Sequence, residues 1–412
     1  MIRKIARTYH TSFSGLSRET WLFSIVMFVN RASTMVAPFL SMYITQSMHR
    51  SIGDAGLIIT LFGIGSVTGS AAGGYFIDRL GFRTVQIFTS LVGGVFIISF
   101  GMIRQFFLLC IWTVLLSFFL ESFRPANLTA VVTYSNPQNL TRSYSLNRLA
   151  VNLGWGFGSS LGGILAAINY HLLFWVEGLA YIMVSFLIVL LLPSNEKTRK
   201  TIHHEELDSS GKDSPWKDSF LLRFLFLATI FNSCFILMFR LAPVYWKEEF
   251  HLGESLIGIF LGLNGIIIAL FEMVLIRYWE SRRSIMYYII SGTLLIALGY
   301  IFLLVPGINP LWLVLLAVVF LTMGEMMALP FINTTIMRRA TSKNKGRYAS
   351  AYAMTWSVAM ILGPGTASLI IDHWNYRTLW LIIILACNAC ALSFYALSQK
   401  TNSGLKPNER KG

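Results

Sequence analysis

Long apolar runs separated by short polar stretches dominate this 412-residue chain. Runs of about 18 or more apolar residues recur along it, and each can cross about 30 Å of hydrocarbon as a helix. Barrel strands would alternate polar and apolar positions over short segments instead. The pattern therefore predicts an all-α polytopic membrane protein of twelve spans, at 20–45, 54–77, 84–103, 106–133, 143–168, 172–193, 218–246, 254–277, 284–305, 310–337, 347–371 and 376–398.

A single long polar stretch, "SNEKTRKTIHHEELDSSGKDSPWK" at 194–217, divides these spans into two sets of six. We predict two pseudo-symmetric six-helix bundles, 20–193 and 218–398, with 194–217 as a cytoplasmic linker and 399–412 as a cytoplasmic tail. Residues 1–19 repeat apolar positions at helical spacing among basic ones, which predicts an amphipathic segment on the membrane surface. A disordered tail is the alternative for that segment.

The two halves also repeat each other in sequence. Five residues of the fourth and fifth spans recur 205 positions later: Pro125, Thr129, Arg142, Ser145 and Gly158 match Pro330, Thr334, Arg347, Ser350 and Gly363. Two similar six-helix halves are the arrangement of many secondary transporters, whose ligand sites lie near the midplane between the repeats.

The basic residues predict the orientation of the chain. The net charge is +14, and 24 lysines and arginines fall on the side of the N-terminus, against four on the other side. The positive-inside rule then places both termini in the cytoplasm of a multi-pass cell-membrane protein, which we expect to be bacterial. Because the charge forms an inner basic surface next to anionic lipid, no nucleic-acid partner is needed.

The loop after the second span reads "GGYFIDRLGFRT", residues 73–84. Glycine at 74 permits close helix approach, glycine at 81 permits a tight turn, and the charges can dock on neighbouring helix ends. The loop resembles the signature motif of the major facilitator superfamily, with Phe82 in place of a usual basic residue. The resemblance covers 20–398 and implies a twelve-helix major facilitator fold.

Within that resemblance, Asp78 would lock the outward-facing state against the start of the eleventh helix. The residues implied in conformational gating are Gly74, Asp78, Arg79, Gly81, Arg83 and Arg347.

Two further motifs resemble those of proton-coupled multidrug antiporters. "LESFR", residues 120–124, is similar to a fourth-helix motif whose arginine is linked to proton transfer, although Leu128 replaces an expected glycine. "GSSLGG", residues 158–163, resembles the fifth-helix motif of drug/proton antiporters, with Ser159 in place of proline. Its glycines form a small-residue face suited to close helix packing.

Several ionisable residues lie at membrane depth, where each costs about 2.5–3.5 kcal/mol on insertion scales. Glu121 and Arg124 share a helix face and can pair, and Glu325 lies near the middle of the tenth span. We assign Glu121, Arg124 and Glu325 to proton coupling in a central polar cavity; static ion pairs are the alternative. The predicted substrate-binding residues are Asn30, Arg31, Asn152, Asn232, Arg240, Asn264 and Trp356. Arg148, Glu177 and Glu272 lie nearer the membrane faces and are weaker candidates.

These features favour a proton-coupled secondary transporter that exports a small organic or amphipathic molecule by alternating access. The alternative is proton-linked uptake of an anionic or zwitterionic solute, such as a peptide or organic acid held by Arg31 and Arg124. A membrane-embedded enzyme or a sensor is a remote possibility, since no nucleophile–base constellation is visible. We expect a monomer in contact with membrane lipid, driven by the proton gradient, without a cofactor or metal.

Overall fold

The computed structural model describes residues 13–193, 214–279, 282–341 and 343–403. Most of the predicted amphipathic segment, most of the linker and the end of the tail lie outside the described residues. The described chain is helical almost throughout. Its helices are α1 (Arg18–Ala32), α2 (Val36–Met42), α3 (Ile52–Leu80), α4 (Phe82–Phe100), α5 (Phe106–Tyr134), α6 (Leu140–Ile168), α7 (Tyr170–Leu191), α8 (Ser219–Arg240), α9 (Ala242–Glu248), α10 (Glu254–Trp279), α11 (Ile285–Phe302), α12 (Pro310–Arg338), α13 (Lys345–His373) and α14 (Tyr376–Ser403).

These helices confirm the predicted all-α membrane fold. Within the described residues, eleven helical segments are long and apolar enough to cross a membrane. The predicted span at 20–45 is wrong as a single helix, because the chain breaks it into α1 and α2, and a π-helical turn, Tyr43–Ser47, follows α2.

The break in the first span has a local cause. The hydroxyls of Ser33 and Thr34 donate to the carbonyl of Asn30, at 2.8 and 3.3 Å, so side chains compete for a helical acceptor. Pro38 has no N–H to donate back along a continuing helix, and proline fits best in a first helical turn, where the missing N–H costs no hydrogen bond. A new helix therefore begins at Val36, with Pro38 in its first turn.

The seventh predicted span shows a milder version of the same feature. Pro243 stands 205 residues after Pro38 and lies near the start of α9. There only Leu241 separates α8 from α9, and the segment Ser219–Glu248 still qualifies as one span. The equivalent proline thus interrupts the seventh span at one residue, without the wider gap that separates α1 from α2.

Matching hydrogen bonds support the sequence repeat. The hydroxyl of Thr129 donates to the carbonyl of Pro125 at 3.0 Å, and that of Thr334 donates to the carbonyl of Pro330 at 2.9 Å. In each bond the acceptor is the carbonyl of an intrahelical proline, and the donor is a threonine hydroxyl one turn later. The two pairs are separated by the same 205 positions that relate the halves in sequence.

The chain divides into two compact units. The N-terminal unit comprises Phe13–Pro215 and Ile336–Ser357; the C-terminal unit includes Trp216–Thr335 and the chain from Val358 onward. In the N-terminal unit α3 packs on α5, α4 on α7, and α1 on α6; in the C-terminal unit α14 packs on α11 and α8. Residues 336–357 group with the N-terminal unit because α13 contacts α3, as described below. The predicted bundle boundaries at 193 and 218 stay a prediction.

Candidate functional site

The motif loop after α3 docks its acidic residue on the start of α13. One oxygen of Asp78, Oδ1, accepts a hydrogen bond from the backbone N–H of Gly346 at 2.9 Å, and Oδ2 lies 3.0 Å from Nε of Arg347. The first turn of a helix presents unpaired N–H groups and the positive end of the helix dipole. A carboxylate at this position is therefore stabilised by the helix end as well as by the arginine.

The basic residues of the loop behave differently from each other. Arg83 donates to the carbonyl of Val189 at 2.9 Å, near the end of α7, where a cation complements unpaired carbonyls. Arg79 is exposed, and its guanidinium lies 4.4 Å from the centre of the Tyr75 ring. Gly81 adopts a φ of 83°, which allows the tight turn between α3 and α4.

The contact between α3 and α13 continues for several turns beyond Asp78. Gly74 lies so close to α13 that a Cβ added to it would stand 2.3 Å from the Cβ of Ser350. The Ser350 hydroxyl donates to the carbonyl of Ser70. One turn further, the hydroxyls of Ser66 and Ser357 are 2.8 Å apart. The predicted gating residues Gly74, Asp78 and Arg347 thus meet in one interface.

We expect Asp78→Ala to reduce transport more than Arg347→Ala. The alanine at 78 removes both the bond to the start of α13 and the ion pair, whereas Arg347 is about half exposed and its pairing is screened by water. Loss of the helix-end bond and the pair together amounts to about 1–2 kcal/mol, or roughly a tenfold shift between conformations. The control is Arg79→Ala, which leaves this interface intact, and transport rates in liposomes provide the measurement. Equal rates for Asp78→Ala and Arg79→Ala would contradict a gating role.

A second polar group, the helix-break cluster, lies in the N-terminal unit around the gap between α1 and α2. Its centre is Glu177 on α7, which is buried. The single oxygen Oε2 accepts hydrogen bonds from the backbone N–H groups of Met35 and Val36, at 2.8 and 2.6 Å. These N–H groups are left unpaired by the break, and the carboxylate satisfies both.

Other members of the helix-break cluster surround this carboxylate. Arg31 on α1 is close enough to interact electrostatically with Glu177. The Tyr181 side chain hydrogen-bonds with that of Thr34 and lies within electrostatic range of Arg31, Glu177 and Glu121. The cluster therefore comprises Arg31, Thr34, Glu121, Arg124, Glu177 and Tyr181.

The predicted pair of Glu121 and Arg124 forms on α5. Nε of Arg124 lies 3.1 Å from Oε2 of Glu121, at partial burial, but its N–H is not aimed at that oxygen. The contact is therefore an electrostatic pair without a well-formed hydrogen bond. Such a pair is easier to separate than a bidentate one.

The C-terminal unit holds its own buried carboxylate. The side-chain amide of Asn264 on α10 donates to Oε2 of Glu325 on α12 at 2.9 Å and lies 2.9 Å from the hydroxyl oxygen of Thr322. All three side chains are buried. The sequence predicted roles for Asn264 and Glu325 separately, and the structure brings the two into contact.

The remaining predicted binding residues have varied surroundings. Asn30 is fully buried, and among the described residues neither of its amide atoms has a hydrogen-bond partner. Asn152 on α6 is partly buried and Asn232 on α8 is fully buried. Trp356 contacts Tyr352 through a side-chain hydrogen bond. Arg240 is exposed at the end of α8.

Sequence reasoning ranked Glu177 among its weaker candidates and missed Tyr181. It placed Glu177 near the outer membrane face, and Tyr181 carries no signal in an apolar run. The two residues are four positions apart on α7 and so share a helix face. The signal that could have indicated the cluster has two parts. One is an acid with a tyrosine one turn later, Glu177 and Tyr181, and the other is the Ser33–Thr34 pair followed by Pro38 in the first span.

The small-residue face of α6 packs against this same part of α1. A Cβ added to Gly154 would lie 2.8 Å from the carbonyl oxygen of Phe28, and one added to Gly158 would lie 2.8 Å from that of Ala32. A Cβ added to Gly162 would lie 3.1 Å from side-chain atoms of Met35 and Phe39. The glycine-rich stretch of α6 therefore brings two helix backbones into contact at the helix break.

The sequence matches the profile described as Major Facilitator Superfamily over residues 22–364. The chain belongs to this superfamily. It is a multi-pass membrane protein of a family of secondary transporters, not of enzymes, whose members bind small molecules.

Two relatives cover most of the transporter. It is 25% identical over 388 residues to the uncharacterized MFS-type transporter YttB of Bacillus subtilis, covering 90% of this chain and 92% of the relative. It is 23% identical over 407 residues to a Na(+), Li(+), K(+)/H(+) antiporter of Planococcus maritimus, with the same two coverages.

Solved structures share the fold of the transporter. A bacterial homologue of the iron transporter ferroportin, in an outward-facing state, superposes with a TM-score of 0.74 at 16% identity, over 93% of this chain and 100% of that chain. The proton:xylose symporter XylE superposes with a TM-score of 0.70 at 13% identity, over 92% and 94%. At these identities the likeness establishes the major facilitator fold and nothing about substrate.

Proposed function

We propose that the transporter exports a small organic or amphipathic molecule in exchange for protons. One observation carries the proposal: each unit holds a carboxylate far from its helix ends, next to a side chain that can stabilise it. These are Glu121 beside Arg124 and Glu325 beside Asn264. A buried acid that alternates between charged and neutral forms can carry a proton through a transport cycle.

The polar partners keep both carboxylates usable as proton sites. Arg124 lies beside Glu121, and the Asn264 amide can stay bonded to Glu325 in either protonation state. The similarity to a cation/H⁺ antiporter supports exchange, and hence export driven by an inward proton gradient. We place the protein in a bacterial cell membrane with both termini in the cytoplasm, as a monomer without a cofactor.

The interface between α3 and α13 supplies the conformational switch in this proposal. Docking of Asp78 on the start of α13 holds the predicted cytoplasmic ends of α3 and α13 together. Opening towards the cytoplasm then requires this bond to break. A rocking cycle with one such lock gives the solute access to one side at a time.

The alternative, proton-linked uptake of an anionic solute, has less support. It needs Arg31 and Arg124 to be available to a carboxylate group. Each arginine already faces an acid of the protein, Glu177 and Glu121 respectively. With two acids and two arginines, the helix-break cluster carries no excess positive charge to attract an anion.

The test is transport by purified protein in liposomes that contain a pH-sensitive dye. We expect ethidium, a probe for amphipathic cations, to be taken up against its gradient when the lumen is acidic, and luminal protons to leave. Na⁺, K⁺ and a dipeptide are tested in the same way. Indifference of all four fluxes to the imposed proton gradient would refute proton coupling, and gradient-driven symport of the dipeptide would favour uptake.

A further inference from the structure

We propose that Glu177 is a positioning residue of the transport cycle, one that holds both Arg31 and the free start of α2 in place for the solute. This inference rests on the proposed function, because Arg31 is a predicted solute contact. Nothing in the sequence motifs assigns a role to this acid. Its role is inferred from the geometry of the helix-break cluster.

The carboxylate of Glu177 acts as a clamp on the start of α2. One oxygen of Glu177 receives two backbone hydrogen bonds, from Met35 and Val36. Burial leaves water little access to either group, since Glu177, Met35 and Val36 are all less than a tenth exposed. An unpaired backbone N–H in such a place is costly, so the clamp keeps the gap between α1 and α2 in a single geometry.

The second step is the asymmetry between the halves. Pro38 and Pro243 occupy equivalent positions in the 205-residue repeat. In the first half the break spans three residues, whereas in the second half Leu241 alone separates the helices. The residue equivalent to Glu177 is Ile382, which cannot accept a hydrogen bond. The wider break therefore occurs in the half that has an acid to accept hydrogen bonds from its free N–H groups. Proline alone does not explain the break, because both halves have the proline.

The third step is the charge facing the carboxylate. Arg31, at the end of α1, interacts electrostatically with Glu177 across the break. Its Nε is buried and has no hydrogen-bond partner among the described residues. The acid thus compensates the charge of this partly buried arginine without a hydrogen bond at that nitrogen.

The fourth step is the fixed position of α2 beyond the clamp. The ring of Tyr43, in the π-helical turn, packs edge-on at 4.7 Å against that of Phe174 on α7. Glu177 lies one turn further along the same helix. The segment from Met35 to Tyr43 therefore contacts α7 at two points, Glu177 and Phe174. Arg31 precedes this segment, so α7 helps to fix its position.

A charge-neutral variant separates positioning from simple capping. The side-chain oxygen of Glu177→Gln can still accept from Met35 and Val36, but it no longer balances Arg31. Glu177→Ala removes both functions. We expect Glu177→Gln to raise the KM for ethidium by about tenfold with little change in maximal rate, and Glu177→Asp to recover part of the affinity.

Thermal unfolding of the purified protein gives a readout that needs no solute. Glu177→Gln leaves the partly buried guanidinium of Arg31 uncompensated and should lower the melting temperature by about 5–10 °C. The double variant Arg31→Gln with Glu177→Gln removes both charges and should recover most of that loss. The double variant should also bind ethidium no more weakly than Arg31→Gln alone.

The outcomes distinguish this inference from the proposed function. If the wild type moves no ethidium, the substrate class is wrong, and the melting series still decides whether Glu177 and Arg31 are coupled. Strictly additive melting losses of the two single variants would overturn the inference. A Glu177→Gln protein with native KM and native melting temperature, beside an unstable Glu177→Ala, would reduce Glu177 to a structural cap.

Discussion

Replacement of Glu325 by glutamine is expected to uncouple transport from the proton gradient. The flux of ethidium driven by an imposed gradient should fall below about a tenth of the native rate, a loss of more than about 1.4 kcal/mol in barrier terms. Glutamine has nearly the same shape and retains an oxygen that can accept from Asn264, so the hydrogen bond at 2.9 Å is preserved. What disappears is the ability to take up and release a proton.

The measurement is dye-monitored proton flux in liposomes, compared with counterflow of labelled solute, which needs no gradient. We expect proton flux to fail and counterflow to continue for Glu325→Gln. The matched control is Glu249→Gln, which changes an exposed acid at the end of α9. A Glu325→Gln protein that accumulates ethidium at the native rate would rule out Glu325 as a proton carrier. Glu121 would then be the remaining candidate, and Glu121→Gln would test it.

The sequence predicted most of the fold because the helices are long and locally determined. The predicted span at 106–133 is observed as Phe106–Tyr134, and that at 310–337 as Pro310–Arg338. Length and hydropathy define such helices without reference to neighbours. The first span departs most from its prediction, since there a hydroxyl pair and a proline interrupt an otherwise apolar run.

The site was only partly predictable, because its contacts join distant parts of the chain. The motif loop gave Asp78 and its docking on a helix end, since the charge and its place in the loop are encoded locally. Asn264 and Glu325 are 61 residues apart, and Met35 and Glu177 are 142 apart. No periodicity within a helix reveals such pairs, so Glu325 lacked a predicted partner and Glu177 was set aside.

A common feature links two polar groups of the N-terminal unit. Asp78 and Glu177 each accept hydrogen bonds from the first backbone N–H groups of a helix, at the starts of α13 and α2. A carboxylate is well suited to such a helix end. In each case a single acid on one helix fixes the start of another, so loss of that acid releases a whole helical segment and not only a side chain.

The contact between α6 and α1 leads to the largest expected effect on stability. We expect Gly158→Ala to destabilise the transporter, because the new Cβ would lie 2.8 Å from the backbone oxygen of Ala32. A backbone group cannot rotate away as a flexible side chain can, so α6 must move off α1. Overpacking of this kind costs about 1–3 kcal/mol. It also disturbs the end of α1, where Arg31 and the break begin.

The control lies two residues away on the same helix. Gly156 has open space where a Cβ would be added, so Gly156→Ala should be neutral or slightly stabilising, by up to about 1 kcal/mol from helix propensity. Melting temperatures of the two purified variants provide the comparison. Transport is then measured at a temperature well below both melting temperatures, to test function. We expect Gly158→Ala to lose transport even where it remains folded, because the helix-break cluster shifts with α1. Equal melting temperatures for the two alanine variants would mean that α6 and α1 are not in close contact, and the packing described here at the helix break would be wrong.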